Sequence, residues 1–197
     1  MTYVLGLTGS IGMGKSTTAQ LFSDEGVPVW DADASVRSLY EPGRPAVKII
    51  ATKYPSVMDG NAVSREKLRA LIAQDESVLD HLQEIVHPLV AKDRASFLKK
   101  ATAPVVLLDV PLLFETNLDE SCAGVVVVTA PFEVQKKRVL DRGEMTETDF
   151  EFILSRQMPD IEKRAKATWV IETLTLDAAR QSVKDILEDI QTGRPHA

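Results

Sequence analysis

At 197 residues, with 44% hydrophobic and 26% charged side chains, the chain has the composition of an ordinary globular protein; a chain of this size buries about 70% of its unfolded surface without metal or disulfide support. Lys and Arg number 23 against 29 Asp and Glu, a net charge of −6, which argues against a broad nucleic-acid face. Cys122 is the single cysteine and excludes an internal disulfide, and the longest apolar runs, 105–108 and 123–128, fall far short of the roughly 20 residues that span a bilayer.

Short apolar runs alternate with longer amphipathic stretches, the pattern of βαβ units around a parallel sheet. Residues 3–8 read as a first strand and 15–23 as the helix after it. A second strand is expected over 27–30, closing at Asp31-Ala32-Asp33. The segment from there to Val105 holds no convincing buried strand. Ser64 reads as an N-cap for a helix carrying Leu68, Leu71 and Ile72. Val78, Leu82, Ile85, Val86 and Leu89 then keep a 3.6-residue period that breaks at His87-Pro88. This stretch, about 60–102, is expected to be a helical insertion. The runs VVLLD at 105–109 and VVVVT at 125–129 are β-branched or leucine throughout, as strands covered on both faces require. Pro131 suits a first helical position, Gly143 stops that helix, and Thr146 opens another toward Met158, so that 138–160 forms a second helical excursion. A fifth strand is expected at 169–171 and a closing helix at 176–191. The expected fold is α/β, a three-layer sandwich on a five-stranded parallel sheet, in one domain with two helical additions.

The chemistry concentrates first in Gly9-Ser10-Ile11-Gly12-Met13-Gly14-Lys15-Ser16, followed by Thr17, which fits G-x-x-x-x-G-K-[ST] between a strand and a helix. Glycines let the backbone turn and approach a phosphate closely, so that successive N–H groups face the anion. Lys15 adds a charge toward the β/γ-phosphates and Ser16 a hydroxyl for Mg²⁺, while the following helix points its positive end at the site. Asp31 and Asp33 share a face if the second strand stays extended. At a carboxyl edge, where open α/β sheets bind ligands, such a carboxylate can accept a proton; Asp33 can equally cap the helix beginning near Ala34. Arg37, one turn on, either binds substrate or orients that carboxylate. Asp109 closes its strand as a Mg²⁺-holding acid does. Pro111, Leu112, Leu113, Phe114 and Glu115 are apolar for an active edge, and suit either the wall of a bulky ligand's site or a buried structural loop. Arg138 and Arg142, four residues apart, either close over a triphosphate or form a solvated face. His81, His87 and His196 lack the spacing of a zinc pair.

Taken together these residues resemble the dephospho-CoA kinases. The resemblance runs through LTGSIGMGKST at 7–17, DAD at 31–33 with Arg37, EPG at 41–43, Arg65 with Leu68 and Arg69, His87-Pro88, DVPLLFE at 109–115 and RQMP at 156–159. It implies ATP-dependent phosphorylation of the ribose 3′-hydroxyl of dephospho-CoA, a nucleotide-binding core, a helical CoA-binding region and a mobile lid. It further implies Asp33 as general base, Lys15 and Ser16 at phosphate and metal, and Arg142 as a lid arginine. Arg65 falls to the acceptor side, and so does His87 if it lines the insertion's ligand face; by itself His87 before Pro88 reads as a helix-junction residue rather than a catalyst. The chain departs from the family at Ser10 and Met13, and at Ala167-Thr168-Trp169-Val170-Ile171-Glu172, where the family has Ala-Asp-x-Val-Ile and then Asn, so no adenine contact is assigned there. Other readings are a small-molecule kinase of nucleoside monophosphate or shikimate type, and an ATP-binding module without transfer. The expected partners are two small substrates, with no nucleic acid and no membrane, a monomer as default, and the cytoplasm as compartment.

Overall fold

The computed structural model describes residues 2–143 and 145–193; His196 lies outside them. In chain order the elements are β1 (Tyr3–Thr8), α1 (Lys15–Asp24), β2 (Val29–Asp31), α2 (Ala32–Leu39), α3 (Pro45–Lys53), β3 (Met58–Asp59), β4 (Ala62–Val63), α4 (Arg65–Gln74) and α5 (Ser77–Lys100). They continue with β5 (Val105–Asp109), β6 (Gly124–Thr129), α6 (Phe132–Leu140), α7 (Glu147–Ser155), α8 (Asp160–Lys166), β7 (Trp169–Glu172) and α9 (Leu176–Thr192). The chain divides into two compact units, one of residues 1–30 and 101–197, the other of Asp31–Lys100.

The first unit is built on a five-stranded sheet in the order β2-β5-β1-β6-β7. β1 lies parallel to β5 on one side and β6 on the other, with Leu5 opposite both Leu107 and Gly124, and β7 runs parallel to β6. Every residue of β5 and β6 is buried, which accounts for their unbroken apolar sequences. Leu5, Leu7, Leu107, Val126, Val128 and Ile171 share one face and pack on Leu21 and Phe22 of α1 and Val183 and Ile186 of α9. The apolar positions of α9 recur at helical spacing, so burying that stripe fixes the helix against the sheet. The opposite face is covered by the segment 110–122 and α8: a Cβ at Gly6 would lie 2.8 Å from Leu113 Cδ2 and 3.0 Å from Cys122 Sγ. This is the three-layer α/β arrangement expected.

The second unit has its own core of Leu39, Ala46, Val47, Ile50, Val57, Val63, Leu68, Val78, Leu82 and Val86. Ser64 caps α4, accepting from the Lys67 N–H. Ser35 Oγ donates to Asp93 Oδ2 at 2.7 Å, joining α2 to α5. The stretch expected over 60–102 is therefore part of a larger body, which also contains α3 and the small β3–β4 hairpin. The break expected at His87-Pro88 is absent: α5 runs through Pro88 for 24 residues. Proline forfeits one N–H bond there, but Val78, Leu82 and Val86 are buried on one stripe, and packing of that stripe outweighs the local loss.

Smaller shifts have local causes. Pro131 sits at the cap of α6 rather than inside it. The helix expected from Thr146 to Met158 ends at Ser155, opened by a capping box between Thr146 and Asp149, and the separate helix α8 follows. No helix among the described residues is long and apolar enough to cross a membrane.

Phe22 is fully buried between α1 and the sheet. Phe22→Ala should cost about 3–5 kcal/mol, read as a lower midpoint in urea denaturation.

Candidate active site

β1 delivers the chain into the glycine loop at Thr8, whose hydroxyl donates to the Pro111 carbonyl at 3.0 Å. The loop turns back on itself through Met13 N–H to Ser10 C=O, 3.1 Å. Gly12 and Gly14 hold φ values of 77° and 88°, a left-handed backbone that side chains resist. Space forbids them as well: a Cβ on Gly12 would meet Val139 at 2.6 Å, and one on Gly14 would meet the Thr173 hydroxyl at 3.0 Å. α1 then begins with no side-chain cap at Gly14 and no acid in its first turn. Its leading N–H groups and the positive end of its dipole thus remain directed at an incoming anion.

Lys15 Nζ is 2.6 Å from Asp109 Oδ1, with only 14% and 5% of the two side chains exposed. Ser16 and Thr17, beside them, are exposed. A cleft of about 320 Å³ opens over the loop, lined by Gly12, Gly14, Thr17, Arg138 and Arg142 together with Leu174 and Leu176. Arg138 reaches it anchored: Nη1 donates to Thr173 Oγ1 at 2.9 Å and Nη2 to the Thr173 carbonyl. The Thr173 hydroxyl in turn donates to the Met13 carbonyl at 2.8 Å. Two of the predicted cations therefore share a wall with the predicted phosphate loop.

Other loop members serve the scaffold. Ser10 and Met13 are buried, and Met13 Sδ accepts the Ala130 N–H at 3.0 Å, so what these two offer a ligand is backbone.

Of the apolar segment after Asp109, the structure corrects three assignments. Leu113 and Phe114 are buried in the core, leaving Pro111 and Leu112 as its surface members. Glu115 turns inward, where Oε1 accepts the Met158 N–H at 2.8 Å and pairs with Lys163 Nζ at 2.9 Å. Lys163 is fully buried and also donates to the Pro111 carbonyl at 3.2 Å. Burial pushes the Glu115 carboxyl up, but the Lys163 ammonium and the Met158 amide more than reverse this and hold it below its usual range. These are core and brace positions, not a ligand wall.

The second unit carries the remaining candidates. β2 ends at Asp31, and Asp33 lies in the first turn of α2, so the extended reading that put both carboxylates on one strand face fails. Asp31 is the cap, accepting the Ala34 N–H at 2.9 Å, and it is Asp31, not Asp33, that Arg37 approaches, at 3.6 Å. Asp33 is exposed, and among the described residues its carboxylate has no hydrogen-bond or ion-pair partner. Arg65 at the start of α4 and His87 within α5 are also exposed. Sequence reasoning missed Thr173, Gln135, Gln157 and Lys163. The RQMP stretch was the one visible hint of Gln157; the others act through contacts remote in sequence.

A glycine loop between a central parallel strand and its helix, with a lysine and a strand-end aspartate meeting at its base, defines a P-loop phosphotransferase fold. A family model described as dephospho-CoA kinase matches residues 3–177. A dephospho-CoA kinase of Cereibacter sphaeroides is 55% identical over 187 residues, 95% of each chain. A solved structure from Thermus thermophilus superposes with a TM-score of 0.83 at 33% identity, over 95% of this chain and 97% of that one. A dephospho-CoA kinase structure from Campylobacter jejuni gives 0.71 at 23%, over 98% and 99%, and bears on the fold. The chain belongs to the dephospho-CoA kinase family.

Because its folded pKa is depressed, Glu115 contributes stability in full above the ordinary carboxylate pKa of about 4.3, and that contribution is lost as pH falls through the lower folded value. Glu115→Gln should lower stability near neutrality by about 3 kcal/mol, since Lys163 stays buried without its counter-charge. The gap between the two proteins' thermal midpoints should then narrow as the pH is taken from 7 toward 3.

Proposed function

We propose that the chain transfers the γ-phosphoryl group of ATP to the ribose 3′-hydroxyl of dephospho-CoA, releasing CoA and ADP. The observation that carries this is the cleft lined by Gly12, Gly14, Thr17 and the Thr173-anchored Arg138 at the uncapped start of α1, whose first residue is Lys15. The N–H groups of Gly12 to Thr17 surround the β-phosphate, and Lys15 shifts part of its charge from Asp109 to the β/γ oxygens. Gly9, Ser10 and Ile11 shape the entry to the loop. Leu174 and Leu176 receive the adenine by apolar contact.

Arg138 and Arg142, both in the segment 138–160 that acts as lid, balance charge on the transferred group, where a cation in a partly dry site counts for several times its value in water. The residues suit a Mg²⁺: Ser16 and Asp109 offer hard oxygen donors, and among the described residues no cluster of three acidic or thiol/imidazole side chains exists, which fits an ion completed by phosphate and water. Such an ion neutralises phosphate charge when bound.

The second unit binds the acceptor. Asp33 takes the 3′-hydroxyl proton as that oxygen bonds to the γ-phosphorus and the bond to the β–γ bridging oxygen breaks. Asp31 orients Arg37; Arg37, Arg65 and His87 contact the acceptor's polar groups. The net charge of −6 argues against a nucleic-acid partner; we take the two small substrates as the partners, and the chain as a monomer in the cytoplasm.

Asp33→Asn should lower kcat by at least about a hundredfold while leaving ADP affinity near wild type, measured by phosphate incorporation into dephospho-CoA and by calorimetric titration. Lys15→Ala should lose at least about a hundredfold in turnover and weaken nucleotide binding as well.

A further inference from the structure

Both backbone polar groups of one loop residue are held by glutamines from distant parts of the chain. The Ile11 N–H donates to Gln157 Oε1 at 3.1 Å, and the Ile11 carbonyl accepts from Gln135 Nε2 at 2.7 Å. An N–H can pair only with the amide oxygen and a carbonyl only with the amide nitrogen, so the two side chains are fixed in opposite senses. Gln135 is buried within α6, and its own backbone carbonyl would lie 3.0 Å from a Cβ on Gly12. Gln157 follows α7, seated by its N–H to the Leu154 carbonyl at 3.1 Å. Its neighbour Met158 is bound to Glu115, Glu115 to Lys163, Lys163 to the Pro111 carbonyl, and Thr8 to that same carbonyl. The contacts thus form a ring that leaves the loop at Ile11 and returns at Thr8, three residues upstream.

We infer that Gln135 and Gln157 are positioning residues for nucleotide binding: they lock the two peptide units flanking Ile11 so that the N–H groups beginning at Gly12 are already aimed when phosphate arrives. A glycine-rich loop has many backbone conformations to lose, and ordering it in advance removes that cost from binding. Glutamine meets both needs without placing a formal charge beside the phosphates. Neither residue touches the reacting atoms. The inference rests on the reading of this loop as the ATP site, and wild-type ADP binding tests that reading separately.

The experiment compares wild type, Gln157→Met and Gln157→Glu by amide hydrogen exchange at Ile11 without nucleotide, by calorimetric ADP titration, and by steady-state kinetics with both substrates. Gln157→Met should speed Ile11 exchange and raise the Kd for ADP and the KM for ATP about tenfold, the scale of one lost hydrogen bond in a site. The KM for dephospho-CoA and the thermal midpoint should stay near wild type. Gln157→Glu keeps an acceptor oxygen and should restore Ile11 protection, whereas Gln135→Glu swaps a needed donor for an acceptor and should not. Unchanged Ile11 exchange in Gln157→Met, or lost protection with unchanged ADP affinity, overturns the inference. Should Gln135→Glu fail to fold, the Gln157 variants alone decide. Absence of ADP binding by the wild type would instead refute the nucleotide reading itself.

Discussion

The Lys15–Asp109 ion pair joins residues 94 positions apart, and the site takes its form from it. β1 lies in parallel register with β5 so that Leu7 stands opposite Asp109. That register brings the carboxylate beside the point where the glycine loop closes onto α1. Slipping β5 by one residue would send Asp109 to the other face of the sheet. Two nearly dry charges at 2.6 Å owe much of their stability to each other, since either alone would carry a large desolvation penalty. The pair therefore holds an ammonium ready in a place where an acidic protein would otherwise repel a polyphosphate.

The loop makes a second demand. Backbone groups reserved for a ligand cannot also stabilise the loop, so its remaining groups must find partners elsewhere. Thr173 takes the Met13 carbonyl, and glutamines take the N–H and the carbonyl of Ile11. Thr173 at the same time fixes Arg138, so one hydroxyl orders both the loop and a cation facing it. The stretch at Gln157 and Met158, the loop and the segment after β5 are linked through polar contacts.

The sequence made the fold's framework and the phosphate loop legible because both are local: β5 and β6 are unbroken β-branched runs, and the loop's glycines, lysine and serine occupy fixed spacings. What it concealed depends on distant or competing contacts. Asp31 ends β2 and caps α2, a choice between strand and helix that depends on one hydrogen bond to Ala34. Pro88 suggests a break, yet the helix persists because its buried stripe lies in a core assembled from four helices. Leu113 and Phe114 look like ligand-facing apolar residues until the bare Gly6 is seen beneath Leu113. Helix α3 is too short, with Ala46, Val47 and Ile50 its buried members, to declare itself by period. The loop residues that Gln135 and Thr173 hold lie more than 100 residues away in the chain, a relation no local pattern encodes.

The Glu115–Lys163 brace has an evolutionary corollary. Replacing either member alone strands a charge or empties a bond to Met158 or Pro111, so each one-step intermediate is less fit to fold than either endpoint. Drift at these two positions is confined to paired changes, and even a well-packed apolar pair would release Met158 and with it the segment that grips Ile11. Descendants of this chain should thus inherit the two residues as a block, whatever their surfaces come to look like.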